Sequence, residues 1–139
     1  MTNDSKRTVT MTRESEGVYV ATNAAGDSLT FGQGVGMLSP VELLLAAIAG
    51  CSSIDVDAMT SRRSEPQKFN VTATADKVSK DGASILENIA IEWDLLFPEG
   101  ADGDKARARV SAALKSSKEK TCTVSRTVEA GVPVEFREA

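Results

Sequence analysis

SPVELLLAAIAGCSSIDV, residues 39–56, reads as the start and body of a helix. Ser39 is placed as N-cap, Pro40 suits the first helical position, and Glu42 stands in capping-box register with Ser39. From Leu43 to Ala49 apolar side chains cover more than one full turn, and no polar stripe opens before Ser52. Such a helix has to be covered on several sides. A sheet covers one face, and with aromatics at 4% the chain has few large side chains for the others. A second subunit would supply the missing cover, so an obligate dimer with this helix near the interface is expected. Arg62 and Arg63 suit the negative end of a helix that runs to about Arg62, where the segment SEPQ stops it.

Outward from that helix the pattern is mixed. Upstream, Val9 and Met11 alternate with threonines, and GVYVAT and SLTFG each follow a polar turn, which predicts a three-stranded antiparallel meander. Downstream, KFNVTATADKV and NIAIEWDLLF read as two strands of a long hairpin with Asp81-Gly82 in the turn. Helical spacing returns from about Asp104 to Ser117 through Ala106, Val110, Ala113 and Leu114. A short turn or helix, KTCTVSRTV, then leads to an expected closing strand, VPVEF. Neither an internal repeat nor a linker is found, so residues 1–139 are expected to form a single α+β domain.

Composition excludes several function classes. A net charge of −4 with scattered basic residues gives no footprint for nucleic acid or an acidic membrane surface. The start MTNDSKRTVT lacks the apolar stretch of a signal peptide, and the apolar run from Leu43 to Cys51 is shorter than the ~20 residues that span a bilayer. A soluble, cytoplasmic protein is therefore expected. The chain has no histidine, which removes the commonest general base and the usual Ser-His and Cys-His nucleophile pairs. A zinc site would need more ligands than one chain owns, and GCSSID lacks the glycines of a nucleophile elbow. The two cysteines of a reducing compartment read as free thiols or a redox couple.

Cys51, beside Gly50 in an apolar helix, has packing as its ordinary explanation, because free cysteine is among the most buried residue types. Cys122 lies in the polar, cationic stretch KEKTCTVSR, where Lys118, Lys120 or Arg126 could lower a thiol pKa; its plain alternative is an incidental surface cysteine.

These two segments resemble the OsmC/Ohr family, the osmotically inducible protein C and organic hydroperoxide resistance group. SPVELLLAAIAGCSSIDV is similar to its first-cysteine helix and CTVSRTVEAGVPVEF to its second-cysteine segment and last strand, in the same order and some 70 residues apart. The resemblance implies an intertwined α+β homodimer, with antiparallel sheets packed around long central helices and active sites at the interface. It also implies that Cys51, as thiolate, attacks an organic hydroperoxide, becoming a sulfenic acid, and that Cys122 resolves it to a disulfide. An external dithiol, lipoyl-type in better-known members, would reduce that disulfide. No metal, haem, flavin or other cofactor is implied. By the same resemblance Arg13, in the TRESEG turn, or else Arg7, would activate Cys51, with a glutamate of the helix orienting the arginine.

Two positions depart from the family pattern. The glutamate expected directly after the proline is Val41 here, with Glu42 one place later, where the capping box already explains it. Thr123 replaces the proline that usually follows the second cysteine. Both point towards a branch typified by GCSSIDV. A dimeric protein of the same fold that binds a small molecule or thiol without turnover is the alternative reading, and a redox-inert structural dimer a third.

Overall fold

The computed structural model of the protein describes residues 5–139. It has the expected α+β character, and its chain groups into two compact units, Met1–Leu44 and Leu45–Ala139.

In the first unit β1 (Val9–Ser15), β2 (Val18–Asn23) and β3 (Ser28–Gly32) form the antiparallel meander, in that order. The β2–β3 turn is held by Asn23, whose Oδ1 accepts the N–H groups of Ala25 and Asp27 at 3.0 Å each, a short polar side chain mimicking a backbone turn. Tyr19 and Phe31 face each other across β2 and β3 with ring centroids 5.9 Å apart. At the end of β3, Gly32 has φ 144°, and a Cβ there would stand 2.0 Å from the carbonyl oxygen of Gly17. Only glycine fits that approach. Helix α1 (Pro40–Ser61) starts in this unit with the predicted capping box: the Glu42 N–H donates to Ser39 Oγ at 3.2 Å, and the Ser39 N–H donates to Glu42 Oε1 at 2.9 Å.

The second unit holds the rest of α1, the hairpin of β4 (Lys68–Lys80) and β5 (Ala83–Leu96), then α2 (Ala101–Ser116), a π-turn (Ser117–Thr121) and α3 (Thr123–Ala130). Asp81 and Gly82 both take positive φ, 51° and 79°, as the tightest hairpin turns require. Ile89, Ile91, Trp93 and Leu95 point to one face of β5, half-buried, while their neighbours point outward. Phe97, Ala106 and Ala113 are buried. α2 begins hard against Pro98, whose carbonyl oxygen would lie 1.7 Å from a Cβ on Gly103.

One sequence expectation is corrected here. VPVEF is not a strand: it has no regular structure, and Val134 and Phe136 are 80% and 92% exposed. Among the described residues this segment pairs with none of the strands. Helix α1 ends at Ser61, in keeping with the expected end at about Arg62, and Arg62 and Arg63 follow directly on its last turn.

α1 also changes the membrane argument. Its 22 residues, with mean hydropathy 1.5 over the most apolar window, are long and apolar enough to cross a membrane by length and composition. Its polar side chains nevertheless bond to protein. Trp93 Nε1 donates to Ser53 at 3.1 Å, Ser117 Oγ to Asp55 at 2.7 Å, and Thr60 Oγ1 to its own helix at the Val56 carbonyl, 2.8 Å away. Along this helix the buried side chains are Ile48, Ser52, Val56 and Thr60, one every fourth residue. That stripe is the packing face of a core helix.

Candidate functional site

α1 turns Cys51 and Ser52 towards the segment that carries Cys122. Cys51 is half-buried and Cys122 fully buried, and neither is in a disulfide. The Ser52 hydroxyl donates to Cys122 Sγ at 3.1 Å, joining residues 70 positions apart. Cys51 precedes Ser52 on α1 and is among the groups that lower the Cys122 thiol. Geometry therefore gathers the two cysteines that the sequence could not place relative to each other.

The approach of Cys122 is built locally by a change of helical pitch. After α2 the backbone widens into the π-turn, and the Cys122 N–H donates to the Ser117 carbonyl at 2.8 Å. Cys122 then leaves the helical region, with φ −78° and ψ 95°, and becomes the N-cap of α3. Its sulfur takes the place of the usual capping oxygen and accepts the Ser125 N–H at 3.4 Å. Thr123 occupies the first position of α3. A proline there would preset the helix, but the cap on Cys122 forms without it.

This surrounding sets the acidity of the buried thiol. Burial pushes the Cys122 thiol up, yet hydrogen bonds from Ser125, from Ser52 and from the Cys51 thiol outweigh it, and the thiol titrates below the ordinary range. The expected cationic influence is not the cause. Lys118 Nζ pairs with Glu129 at 2.7 Å, Arg126 donates to the Glu119 carbonyl, and Lys120 is exposed. Neutral donors at the sulfur do what the sequence assigned to nearby charges.

A cavity of about 420 Å³ lies against this centre. Ile48, Ile89, Ile91, Trp93, Val110 and Leu114 give it apolar walls. Ser52 and Ser125, both bonded to Cys122, also line it, and Lys118 and Glu129 are its charged lining residues. An apolar chamber with a few converging polar groups is the usual form of a small-molecule site. Among the described residues no group of three Cys, Asp or Glu side chains converges as a metal site would need.

The remaining sequence candidates lie in the first unit. Arg13 is exposed at the middle of β1, opposite Tyr19 in the sheet register, with an irregularity in the pairing just after it. Arg7 precedes that strand and donates to the Lys6 carbonyl. Glu42 is occupied by its cap, and the hydrogen bonds from the Ser39 backbone and hydroxyl hold its carboxyl below the usual range. Val41 is exposed. The sequence reading passed over Ser52, Ser125 and Asp55. Asp55 falls one helical turn after Cys51, on the same side of α1, and that spacing was the available signal.

Comparison with known proteins gives a consistent result. Residues 32–137 match the family described as OsmC-like protein. A hypothetical protein from Aquifex aeolicus VF5 superposes with a TM-score of 0.71 at 27% identity, over 91% of this chain and 89% of that one. An OsmC-like protein of unknown function from Vibrio cholerae O1 biovar eltor gives 0.70 at 13% identity, over 90% and 94%. An OsmC-like protein from Mycoplasma pneumoniae gives 0.67 at 17%, over 91% and 89%. These last two speak for the fold alone. No curated protein shows significant similarity to the chain.

Proposed function

The chain belongs to the OsmC-like family, and from that premise we propose that it is a thiol-dependent peroxidase that reduces organic hydroperoxides to alcohols through Cys51 and Cys122. The observation that carries the reading is the buried Cys122 sulfur held by Ser52, the residue next to Cys51, beside an apolar chamber. Exposure assigns the roles. Peroxide has to reach the attacking sulfur, Cys51 is half-buried and Cys122 has no exposed surface.

The reaction starts from Cys51 as the thiolate, with Cys122 as the thiol. The Cys51 thiolate attacks the distal peroxide oxygen. The O–O bond breaks, Cys51 becomes a sulfenic acid, and the departing alkoxide takes the Cys122 proton to give the alcohol. The Cys122 thiolate then attacks the Cys51 sulfur, a disulfide forms, and the expelled hydroxide becomes water with a solvent proton. An external dithiol, lipoyl-type in keeping with the family resemblance, reduces the disulfide by exchange. Arg13 remains the candidate for steadying the Cys51 thiolate, whereas Glu42 acts in the helix cap.

The rest of the reading follows from the same family. The match runs from residue 32 to residue 137, across both units, which supports one OsmC-like domain. The bare segment with exposed Val132, Val134 and Phe136, together with Ile54 at 72% exposure on α1, supports a homodimer whose partner covers these side chains. A coupled assay comparing cumene hydroperoxide with hydrogen peroxide tests the activity. Wild-type turnover should favour the organic substrate and vanish in Cys51→Ser, and undiminished turnover in that variant overturns the role of Cys51. Val41, in place of the family glutamate, favours the alternative of binding without turnover. Native mass spectrometry would then find a retained ligand or adduct in a protein that consumes no peroxide.

A further inference from the structure

We propose that Asp55 is a positioning residue that sets the reach of Cys122 to Cys51, by holding open the π-turn that precedes the second cysteine. The proposal rests on the pairing of the two cysteines in the reading above, but not on peroxide as the oxidant.

Asp55 stands on α1 one turn beyond Cys51, half-buried, and one of its oxygens gathers two hydroxyls. Ser117 Oγ donates to Asp55 Oδ2 at 2.7 Å and Thr121 Oγ1 donates to the same atom at 2.8 Å. Those donors are the first and last residues of the π-turn. The Cys122 N–H in turn bonds to the Ser117 carbonyl at 2.8 Å. The backbone carrying the second sulfur is thus tied through Ser117 to the helix that carries the first.

The turn needs such a tie because a π-type bond is a rare departure from α geometry. If the segment relaxed to ordinary α-helix, one residue would be reabsorbed. Everything after it would rotate by roughly 100°, the angle between successive residues at 3.6 per turn. Cys122 would swing away from Ser52, which now donates to it at 3.1 Å. One carboxylate oxygen holding both ends of the turn opposes that relaxation. Ser52 and Asp55, three residues apart on α1, thereby fix the sulfur and its backbone separately.

The test is a thiol–disulfide equilibrium, in which glutathione disulfide accepts two electrons from the dithiol and leaves as two glutathione molecules. The Cys51–Cys122 disulfide fraction is read by alkylation and mass spectrometry across glutathione redox buffers. Asp55→Ala should shift the equilibrium at least tenfold towards the dithiol, about 30 mV for a two-electron couple. Asp55→Asn, which keeps an acceptor oxygen, should recover most of that shift. Should Asp55→Ala fail to fold, Thr121→Val removes a donor from the partly exposed side of the same clamp and should shift the equilibrium in the same direction. Wild-type equilibrium in the folded variants overturns the proposal, and so does a wild-type protein that forms no Cys51–Cys122 disulfide in any buffer. The titration contains no peroxide, so failure of the peroxidase reading would show only in the turnover assay.

Discussion

Ser52→Ala isolates the acidity of the resolving sulfur. Ser52 is 6% exposed, and its hydroxyl donates to Cys122 Sγ at 3.1 Å. A hydrogen bond to a charged acceptor is worth about 1.5–3 kcal/mol, against about 0.5–1.5 for a neutral one. The Cys122 thiolate therefore loses about 1–2 kcal/mol more than the thiol does, a factor of roughly 5–30 in its population at a given pH. The variant should close its disulfide more slowly than wild type by that factor at neutral pH. It should match wild type at alkaline pH, where Cys122 is ionised in both. One equivalent of cumene hydroperoxide would start the reaction, and acid quench followed by mass spectrometry would follow sulfenic acid passing to disulfide from mildly acidic to alkaline pH. Sulfenic acid formation at Cys51 should be affected less than closure. A folded Ser52→Ala protein with the wild-type rate and pH profile of closure refutes the assignment of Ser52 as a donor to the thiolate.

The apolar chamber predicts a chain-length series. Each methylene that the walls of Ile89, Ile91 and Trp93 remove from water should raise kcat/KM by about fourfold, from about 0.8 kcal/mol per methylene, and a flat series of alkyl hydroperoxides would disconnect the chamber from the substrate. Because the Cys122 thiol is depressed in the folded protein, the unfolded chain binds its proton more tightly. Stability from this group is thus fully present above the ordinary thiol value of ~8.5 and lost as pH falls through the depressed folded value; Cys122→Ser should flatten that part of the reduced protein's Tm-versus-pH curve, and parallel curves would contradict the depression. Ser39→Ala removes the cap of α1 and should cost about 1 kcal/mol. At about 2.1 cal/mol/K per residue for a chain of 139 residues, that is a fall in Tm of about 3 °C by calorimetry, with an unchanged Tm arguing against the capping box.

The sequence by itself determined the elements and the family. Period-two strands, the Asp81-Gly82 turn and the Ser39–Glu42 cap are local devices, readable because each depends on residues close along the chain. The two cysteine segments carried the resemblance for the same reason. Tertiary structure decided what joins distant residues: that Cys122 is buried, that Ser52 donates to it, and that Asp55 binds both ends of the π-turn. It also replaced the lysines and arginine around Cys122 with uncharged donors as the source of its acidity. The expected strand at VPVEF fails for the converse reason, since alternation becomes a strand only when the segment is brought alongside another strand and pairs with it, which local pattern does not specify. Local patterns fix what each segment becomes, whereas a thiol's ionisation depends on burial and on donors brought from far along the chain, and only the folded arrangement specifies those.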